Sequence, residues 1–399
     1  MAPFPAPVQG HPLKPGAGAG PGLYIHVPFC RVRCPYCDFA TAPYTARGAQ
    51  RFVAAVLREA EGAGKQVGGG RFATLFFGGG TPSRLEPGDL TALAHGLGER
   101  LAFAPGAEFT LEANPEDVGA VRLEAWREAG VNRISLGVQS WDEGELRSLG
   151  RGHGEAEARA AAGAVGAAFA DWSLDLIFGF PGHGEAAWRR TLERTVALSP
   201  PHVSAYHFTA EAGTPMGEAV RAGRVRSPGD EAAAELFEAA AAVLTGAGYR
   251  QYEVSNFARA GHESEHNLLY WRRRPCLGLG PSAVSFWGQR RWRNTRAAEA
   301  YAARVLGGQD WVGEREDVTA QAGVETFMLG LRLADGIPWG DIDALGAGAG
   351  AWTAAARRLA QRGLLEVDGS GVRVPQIQRR LTDEVVLALW REAEPKTAR

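Results

Sequence analysis

The sequence predicts an α/β protein with a large domain of repeated strand–helix units and a small, mostly helical C-terminal domain. From residue 23 to about residue 208, short apolar runs alternate with amphipathic segments, a pattern typical of βα units and a parallel sheet. Unusual polar residues follow the strands at one end. From residue 314 onward the pattern changes to helices around one short hairpin. A chain of 399 residues is long enough for two such domains.

Six strands are predicted in the large domain, each a short run of apolar or β-branched residues. They cover residues 23–27, 74–77, 108–112, 133–138, 173–177 and 203–208. Helices are predicted at residues 51–61, 89–101, 122–129, 155–170, 186–198 and 231–244. Alternation of this kind favours parallel strands, because a crossover helix carries the chain back before the next strand begins.

The polar residues after the strands indicate where a functional site lies. Cysteines follow the first strand, and a glycine turn at residues 78–81 follows the second. Glu112 ends the third strand, Gln139 follows the fourth, and Asp175 lies in the fifth. In parallel barrels the chemistry is found at the carboxyl ends of the strands. The sequence therefore predicts a site at that end of the sheet.

Four segments are predicted along the chain. Residues 1–22, rich in Pro, Gly and Ala, form a disordered lead-in, and residues 23–258 form the strand–helix domain. Residues 259–313 form a connecting segment. Residues 314–399 form the C-terminal domain, with helices at 324–333, 352–362 and 382–390 and a hairpin at 364–374. This combination suggests a winged-helix-like module, a fold that does not define a function by itself.

Composition narrows the class of protein. The formal net charge is −2, which gives no general attraction to nucleic acid or to an anionic membrane. No apolar run reaches the roughly 18 residues of a membrane-spanning helix, and the N-terminus lacks the features of a signal peptide. The cysteine content, with three of four cysteines clustered, suggests a metal site in a reducing cytoplasm.

The clustered cysteines are Cys30, Cys34 and Cys37, in the spacing C-x3-C-x2-C. A four-iron cluster held by three protein thiolates keeps one iron open, and an open iron can bind a substrate. Structural zinc with His26 or Asp38 as fourth ligand is the alternative, although zinc sites usually carry a second cysteine pair. A disulfide framework is disfavoured, because a chain of this length buries a full core without cross-links.

This cysteine motif resembles that of the radical S-adenosylmethionine (SAM) superfamily. The resemblance implies an incomplete (β/α)6 barrel, in agreement with the six predicted units. It also implies a 4Fe-4S cluster on the three cysteines, with the open iron chelated by the amino and carboxylate groups of SAM. In the family, one electron then cleaves the sulfonium to a 5′-deoxyadenosyl radical, so the resemblance implies a capacity for SAM cleavage.

Further motifs resemble the oxygen-independent coproporphyrinogen III oxidase family and, within it, the HemW-type haem chaperones. The matching pieces lie at residues 24–39, 78–83, 112–115, 132–140, 149–153, 175–182 and 252–257. Carried over by position, the family's SAM contacts fall on Tyr24, Phe39, Gly79, Gly80, Thr81, Glu112, Gln139, Arg151 and Asp175. These residue types suit the role, since a carboxylate can hold ribose hydroxyls and Arg can bind a carboxylate through two hydrogen bonds.

Two features decide the branch of the family. True oxidases resemble C-x3-C-x2-C-x-C, and here Phe39 stands at the place of the fourth cysteine. HemW-like proteins use the motif H-N-x-x-Y-W in haem binding, and this chain has His266, Asn267, Tyr270 and Trp271 in that pattern. The resemblance therefore implies that His266 ligates haem iron and that the aromatic pair packs against the porphyrin. A core or surface histidine without a ligand is the alternative for His266.

The neighbouring residues agree with this branch in part. Arg272, Arg273 and Arg274 follow the motif, either as partners of the haem propionates or as a solvated loop. Ser264 and Val284 stand where many HemW-like chains have a cysteine and a histidine. The part that those two groups play in haem capture is therefore open in this chain.

The favoured function is a HemW-type haem chaperone that binds haem, a 4Fe-4S cluster and SAM and delivers haem to haem proteins. The expected partners are a haem-accepting client such as a respiratory protein, an electron donor such as flavodoxin or ferredoxin, and a second copy of the chain. Membrane contact is expected only transiently and through the client. One alternative is oxygen-independent decarboxylation of coproporphyrinogen III propionates to vinyl groups. The other is a radical enzyme acting on an unrelated substrate.

Overall fold

The computed structural model of the protein describes residues 20–66 and 70–393. The predicted lead-in at residues 1–22 lies almost wholly outside these ranges, so its disorder stays a prediction. Within them, no helix is both long and apolar enough to cross a membrane.

The strands and helices follow the predicted alternation, and each has definite bounds. The strands are β1 Gly22–Val27, β2 Phe29–Cys30, β3 Ala42–Pro43, β4 Phe72–Gly79, β5 Phe103–Ala113, β6 Arg133–Gln139, β7 Asp171–Phe178, β8 His202–His207, β9 Arg250–Gln251, β10 Asn256–Ala258, β11 Cys276–Leu279, β12 Val284–Trp287, β13 Arg290–Asn294, β14 Val312–Asp317, β15 Ile337–Pro338, β16 Glu366–Val367 and β17 Gly371–Arg373. The helices are α1 Ala46–Gln66, α2 Pro87–Arg100, α3 Ala120–Glu128, α4 Glu143–Ser148, α5 Glu155–Ala168, α6 Glu185–Ala197, α7 Pro215–Arg221, α8 Asp230–Gly246, α9 Glu265–Trp271, α10 Ala298–Leu306, α11 Ala322–Gly330, α12 Trp339–Asp343, α13 Ala349–Gln361 and α14 Thr382–Ala393.

One large sheet dominates the described residues. Its strand order is β14-β13-β12-β11-β1-β4-β5-β6-β7-β8-β10-β9. The run from β1 through β4 to β8 is parallel throughout and corresponds to the six predicted strands. β11 pairs with β1 as a further parallel strand, whereas β12, β13 and β14 continue the sheet in antiparallel fashion.

Alternation along β1 shows how this sheet separates its two faces. Leu23, Ile25 and Val27 are fully buried beneath the helices, in one hydrophobic core with residues of the helices α1 and α2. Tyr24 and His26 point to the opposite face, where the functional groups are found. Apolar residues on one face and polar or aromatic residues on the other thus prepare an interior site.

The segment 259–313, predicted as a connection, builds an extension of the main sheet. It contributes β11, β12 and β13, and its helix α10 packs on α1. The join between the extension and α1 is the buried carboxylate of Glu59. Its Oε1 accepts from Asn294 Nδ2 (2.7 Å) and Trp311 Nε1 (2.9 Å), and its Oε2 accepts from Gly280 N (2.9 Å) and Tyr301 Oη (2.5 Å).

The C-terminal residues form a second hydrophobic core. Phe327 stacks on Trp352, and both pack with residues of the helix α14. The predicted hairpin is present as β16 and β17, to which β15 adds a third strand. The side chain of Arg379 donates to the backbone oxygen of Gln251 at 3.2 Å, which attaches this unit to the edge of the main sheet.

We expect Glu59→Gln to lower the free energy of unfolding by about 1–3 kcal/mol, because the amide turns one of two acceptors into a donor that faces buried donors. Urea denaturation of the wild type and the variant measures this change. Glu61→Gln is the matched control, since Glu61 lies on the same helix with its side chain 45% exposed. Equal stability of the two variants would contradict a structural role for Glu59.

Candidate functional site

The three clustered cysteines lie on the loop that follows β1. Cys30 ends the short strand β2, which pairs with β3, and the loop between them turns where Cys37 N donates to Cys34 O at 3.1 Å. All three cysteines are half-buried. The sequence prediction that they share one loop at the carboxyl end of the first strand agrees with this geometry.

Groups from the loops after β4 and α4 point at two of these sulfur atoms. Thr81 Oγ1 donates to Cys30 Sγ at 3.5 Å, and Arg151 Nη1 donates to Cys34 Sγ at 3.7 Å. Burial raises the pKa of the Cys30 and Cys37 thiols, and the neighbouring cysteine sulfurs raise it further. A bound cation would reverse this effect, because metal coordination deprotonates a thiol.

Across the described ranges, no three His, Cys, Asp or Glu side chains converge on one point as ligands of a single metal ion. A four-iron cluster does not require such convergence, because each thiolate binds a different iron. The loop geometry, the two donors at the sulfurs and the chemistry of three thiols therefore fit a cluster of this kind.

The glycine turn after β4 is required by close packing. A Cβ on Gly78 would lie 2.9 Å from the Tyr24 ring, and one on Gly80 would lie 2.8 Å from the Pro28 backbone. Gly79 has φ +111°, a conformation that disfavours side chains. Its N–H donates to Glu112 Oε2 at 3.1 Å. The turn thus brings the backbone of β4 against β1 and fixes one oxygen of the Glu112 carboxylate.

Two carboxylates share the interior of the barrel beyond this turn. Burial raises the pKa of Glu112 to about 8, with a further contribution from the charge of Asp175. Asp175 accepts from Ser135 Oγ at 2.6 Å and from Ser173 Oγ at 2.8 Å, but burial still raises its pKa. At neutral pH Glu112 is therefore mostly protonated, and a ligand that donates hydrogen bonds or carries a positive charge would favour its ionised form.

Gln139 and Arg151 present polar atoms without partners at the end of β6. Gln139 Oε1 and Arg151 Nε are buried and make no hydrogen bond in the structure. Gln139 also has φ +71°, an uncommon backbone conformation of the kind found at ligand sites. Arg151 Nη2 donates to Asn114 Oδ1 (2.6 Å) and Gly137 O (2.8 Å), which fixes its guanidinium. These atoms and the two carboxylates fit a small polar ligand such as SAM.

The remaining predicted SAM contacts border the same region. Tyr24 Oη is hydrogen-bonded to His26 Nδ1 at 3.2 Å, and Phe39 is 55% exposed beside the cysteine loop. The structure places Phe39, Gly79, Gly80, Thr81, Glu112, Gln139 and Arg151 at or near the carboxyl ends of the strands. Asp175 lies further inside on β7, and Tyr24 lies in the first half of β1, with its ring centroid 6.4 Å from that of His266. Their contact with SAM stays a prediction.

The H-N-x-x-Y-W motif forms the helix α9 at the opposite, amino end of the barrel. Ser264 caps this helix by accepting from Asn267 N, so it has a structural role at the position of the family cysteine. Glu108 of β5 accepts from the backbone N–H groups of Glu265 and His266, each at 3.0 Å. A carboxylate at a helix N-terminus satisfies donors that would otherwise have no partner.

His266 is buried inside this end of the barrel, with 1% of its surface exposed. Its Nδ1 is hydrogen-bonded to Thr74 Oγ1 at 2.6 Å, and its Nε2 to Tyr270 Oη at 3.0 Å. The ring stacks on Phe76, and burial lowers its pKa to about 3. His266 is therefore a neutral imidazole with both nitrogens hydrogen-bonded, and binding of a metal to either nitrogen would require that partner to move.

The other motif residues surround His266 unequally. The Tyr270 ring is 38% exposed, whereas its hydroxyl turns inward to His266 and lies 3.8 Å from Cys276 Sγ. Trp271 lies under the guanidinium of Arg332, and its buried indole Nε1 has no hydrogen-bond partner. Asn267 is half-buried. Only Tyr270 of this group lines the neighbouring cavity.

A cavity of about 590 Å³ connects the two ends of the barrel. It runs from Tyr270 and Cys276 near α9 to Phe39 and Gly79 near the cysteine loop. Five arginines share its wall with several apolar and aromatic residues, and we call it the arginine-lined cavity. Its charged lining residues are Arg273, Arg274, Arg291, Arg293 and Arg296, together with Asp38.

The predicted SAM contacts leave out several residues of this region. Asn114, one of the polar residues predicted at the end of the third strand, holds the guanidinium of Arg151. His26 hydrogen-bonds to Ala40 O at 2.9 Å and lines the cavity. Arg291 and Arg293 alternate with buried residues in the period-2 pattern typical of a strand. The prediction of residues 259–313 as a connecting segment did not use this pattern.

Comparisons with protein-family models agree with this geometry. The model of the radical SAM superfamily matches residues 24–195, and the model of the HemN C-terminal domain matches residues 320–376. A solved structure of HemN, the coproporphyrinogen III oxidase from Escherichia coli described as a radical SAM enzyme, has a TM-score of 0.79. The match covers 93% of this chain and 90% of that chain at 23% identity, and it confirms the predicted fold class.

Curated relatives define the branch more narrowly. The heme chaperone HemW of Mycobacterium tuberculosis is 36% identical over 389 residues, covering 96% of this chain and 98% of the relative. The heme chaperone HemW of Escherichia coli is 37% identical, covering 79% of this chain and 83% of the relative. Fold, cysteine loop and relatives together define a radical SAM protein with a HemN-type C-terminal domain. Within that superfamily, the chain belongs to the heme chaperone HemW family.

Membership of the radical SAM superfamily implies a 4Fe-4S cluster and SAM as cofactors. When bound, they supply one-electron cleavage of a sulfonium. In this chain, Cys30, Cys34 and Cys37 would hold the cluster, Thr81 and Arg151 would donate to its sulfur ligands, and Glu112 would accept from the bound SAM.

Replacing Cys30, Cys34 and Cys37 by Ala should abolish the iron–sulfur absorbance after anaerobic reconstitution with iron and sulfide. Iron and sulfide content gives an independent readout. Cys276→Ala is the matched control and should keep the cluster, because Cys276 is buried at the start of β11 beside α9. Retention of iron and sulfide in the triple variant would refute the assignment.

We also expect the affinity for SAM to rise between pH 6.5 and about pH 8.5. We expect SAM to bind the ionised carboxylate of Glu112. Because the pKa of this group is about 8, it is mostly protonated at pH 7 and becomes ionised as the pH rises. Calorimetric titration of the reconstituted protein at three pH values measures this dependence. Glu112→Gln should weaken binding and flatten the profile, whereas Glu124→Gln on the exposed face of α3 should change neither. A flat profile in the wild type would contradict this role.

Proposed function

We propose that this protein is a HemW-type haem chaperone, which binds haem and delivers it to haem proteins. The observation that carries the proposal is similarity along almost the whole chain, 96% of it, to a relative named heme chaperone HemW. A large cavity beside the H-N-x-x-Y-W helix adds support, because it offers an apolar space with charged walls next to a neutral imidazole.

In this proposal Tyr270 controls access of haem iron to His266. Nε2 of His266 is occupied by the Tyr270 hydroxyl, and that hydroxyl belongs to a side chain that lines the cavity. Rotation of Tyr270 would free Nε2 toward the cavity, whereas Nδ1 would remain bonded to Thr74 and would hold the ring in place. A metal-binding histidine is usually oriented by a hydrogen bond to the ring nitrogen that does not bind the metal.

The partners and the compartment follow from the same proposal. We propose a client haem protein as acceptor, a respiratory protein among the candidates, and flavodoxin or ferredoxin as electron donor. The cysteine chemistry supports a reducing cytoplasm, since the three clustered cysteines are free thiols in the structure. A homodimer and a transient membrane contact through the client complete the proposed interactions.

Haem titration followed by absorbance tests the proposal, with wild type, His266→Ala and Tyr270→Phe compared after cluster reconstitution. The wild type should give a saturable Soret shift. We expect His266→Ala to weaken haem binding at least tenfold. Tyr270→Phe should strengthen it about 2–10-fold, because Nε2 loses a competing hydrogen bond of ordinary strength.

The two variants change binding in opposite directions, so a general loss of folding cannot reproduce the expected pattern. His95→Ala is the matched control, because His95 is an exposed histidine on α2. Absence of haem binding in wild type with an intact cluster would overturn the chaperone proposal. Conversion of coproporphyrinogen III to a product with vinyl groups, under anaerobic reducing conditions, would replace it with the oxidase activity.

A further inference from the structure

We infer that the arginine-lined cavity binds haem through its two propionate carboxylates, with Arg293 and Arg296 as the principal cations. This inference rests on the proposed function and assigns an orientation to the ligand. The propionates would face β13 and the loop after it, and the apolar edge of the porphyrin would face Tyr270. The motif arginines that follow α9 would then have a different, supporting role.

The ion pairs of the cavity separate its arginines into two groups. Arg273 and Arg291 both donate to the buried carboxylate of Glu325, at 2.9 and 2.7 Å, and Arg274 pairs with Asp341 at 3.2 Å. Glu325 and Asp341 come from the C-terminal unit. These three guanidinium groups are already neutralised by acidic partners inside the protein.

Among the described residues, Arg293 and Arg296 do not pair with a buried acidic side chain. Arg293 pairs at 3.4 Å with Glu314, and both side chains are largely exposed, so this ion pair is weak and exchangeable. Arg296 donates to an uncharged acceptor, the backbone oxygen of Asp38, at 2.5 Å. A carboxylate that enters the cavity would therefore gain charge-assisted hydrogen bonds there without breaking a buried pair.

The floor beneath these cations is apolar. Val284 lies directly opposite Arg293 in the sheet, and Phe286 lies opposite Arg291. Val284 and Tyr270 are each 38% exposed, although both are large apolar side chains facing the cavity. A volume of about 590 Å³ falls in the range of cofactor pockets. An apolar floor with cations at one rim fits a flat apolar molecule that carries carboxylates at one edge.

The same features argue against the carboxylate of SAM as the occupant of this rim. SAM has only one carboxylate, and this group lies beside positive charges of the same molecule. Those positive charges suit Glu112 and Asp175, which are negative when ionised. The rim at Arg293 and Arg296 is positively charged and suits an anionic ligand with more than one carboxylate. Haem, with two propionates, has this chemistry.

Haem titration of Arg293→Gln and Arg296→Gln, singly and together, tests the inference. Each single variant should bind haem about tenfold more weakly, and the double variant about a hundredfold more weakly. Arg290→Gln is the matched control, because Arg290 is exposed, lies on the same strand and does not line the cavity. Cluster absorbance and binding of S-adenosylhomocysteine should stay unchanged in Arg293→Gln and Arg290→Gln.

A second probe, haem dimethyl ester, removes the ligand carboxylates. It should bind the wild type at least tenfold more weakly than haem, and Arg293→Gln should not weaken it further. If wild type binds haem but the arginine variants and the diester match it in affinity, the inference is wrong and the proposed function stands. If wild type binds neither probe, the proposed function itself fails.

Discussion

Four hydrogen-bond donors converge on the carboxylate of Glu59, and this buried cluster holds the sheet extension to α1. The donors come from the turn after β11, from β13, from α10 and from the residue before β14. Together with the backbone pairing of β11 to β1, this join positions the wall that carries Arg291 and Arg293. The interior cavity therefore depends in part on a buried carboxyl group that is not among the predicted ligand contacts.

The barrel uses its two ends differently. Its carboxyl end gathers thiols, a glycine turn and carboxylates, as parallel barrels do in general. Its amino end is closed by α9, whose first N–H groups are bound by Glu108. The cavity joins both ends along the face of β1, β11 and β12. The C-terminal unit takes part through Glu325, which orients two of the cavity arginines.

The sequence predicted the six parallel strands and their helices well, because short apolar or β-branched runs alternate regularly with helix-forming segments along this part of the chain. The sequence also predicted that the polar residues after the strands lie near one another, because parallel strands bring their carboxyl ends to the same edge of the sheet. It could not place β11 to β13 in the main sheet, because pairing between distant segments leaves no local signature. Nor could it show that His266 is enclosed, since the burial depends on Thr74, Phe76 and Tyr270 meeting around it.

If His266 binds haem iron as proposed, its hydrogen-bond partner inside the protein affects how fast haem is released. A histidine stripped of iron in an apolar interior would leave a bare nitrogen, and that cost would slow departure. In this protein the Tyr270 hydroxyl would form a hydrogen bond to Nε2 of His266 again once the iron has left. A haem enzyme needs to retain its haem, whereas a protein that transfers haem needs a short residence time of haem. A hydroxyl that replaces the metal at Nε2 would lower the free energy of the haem-free state and so favour release.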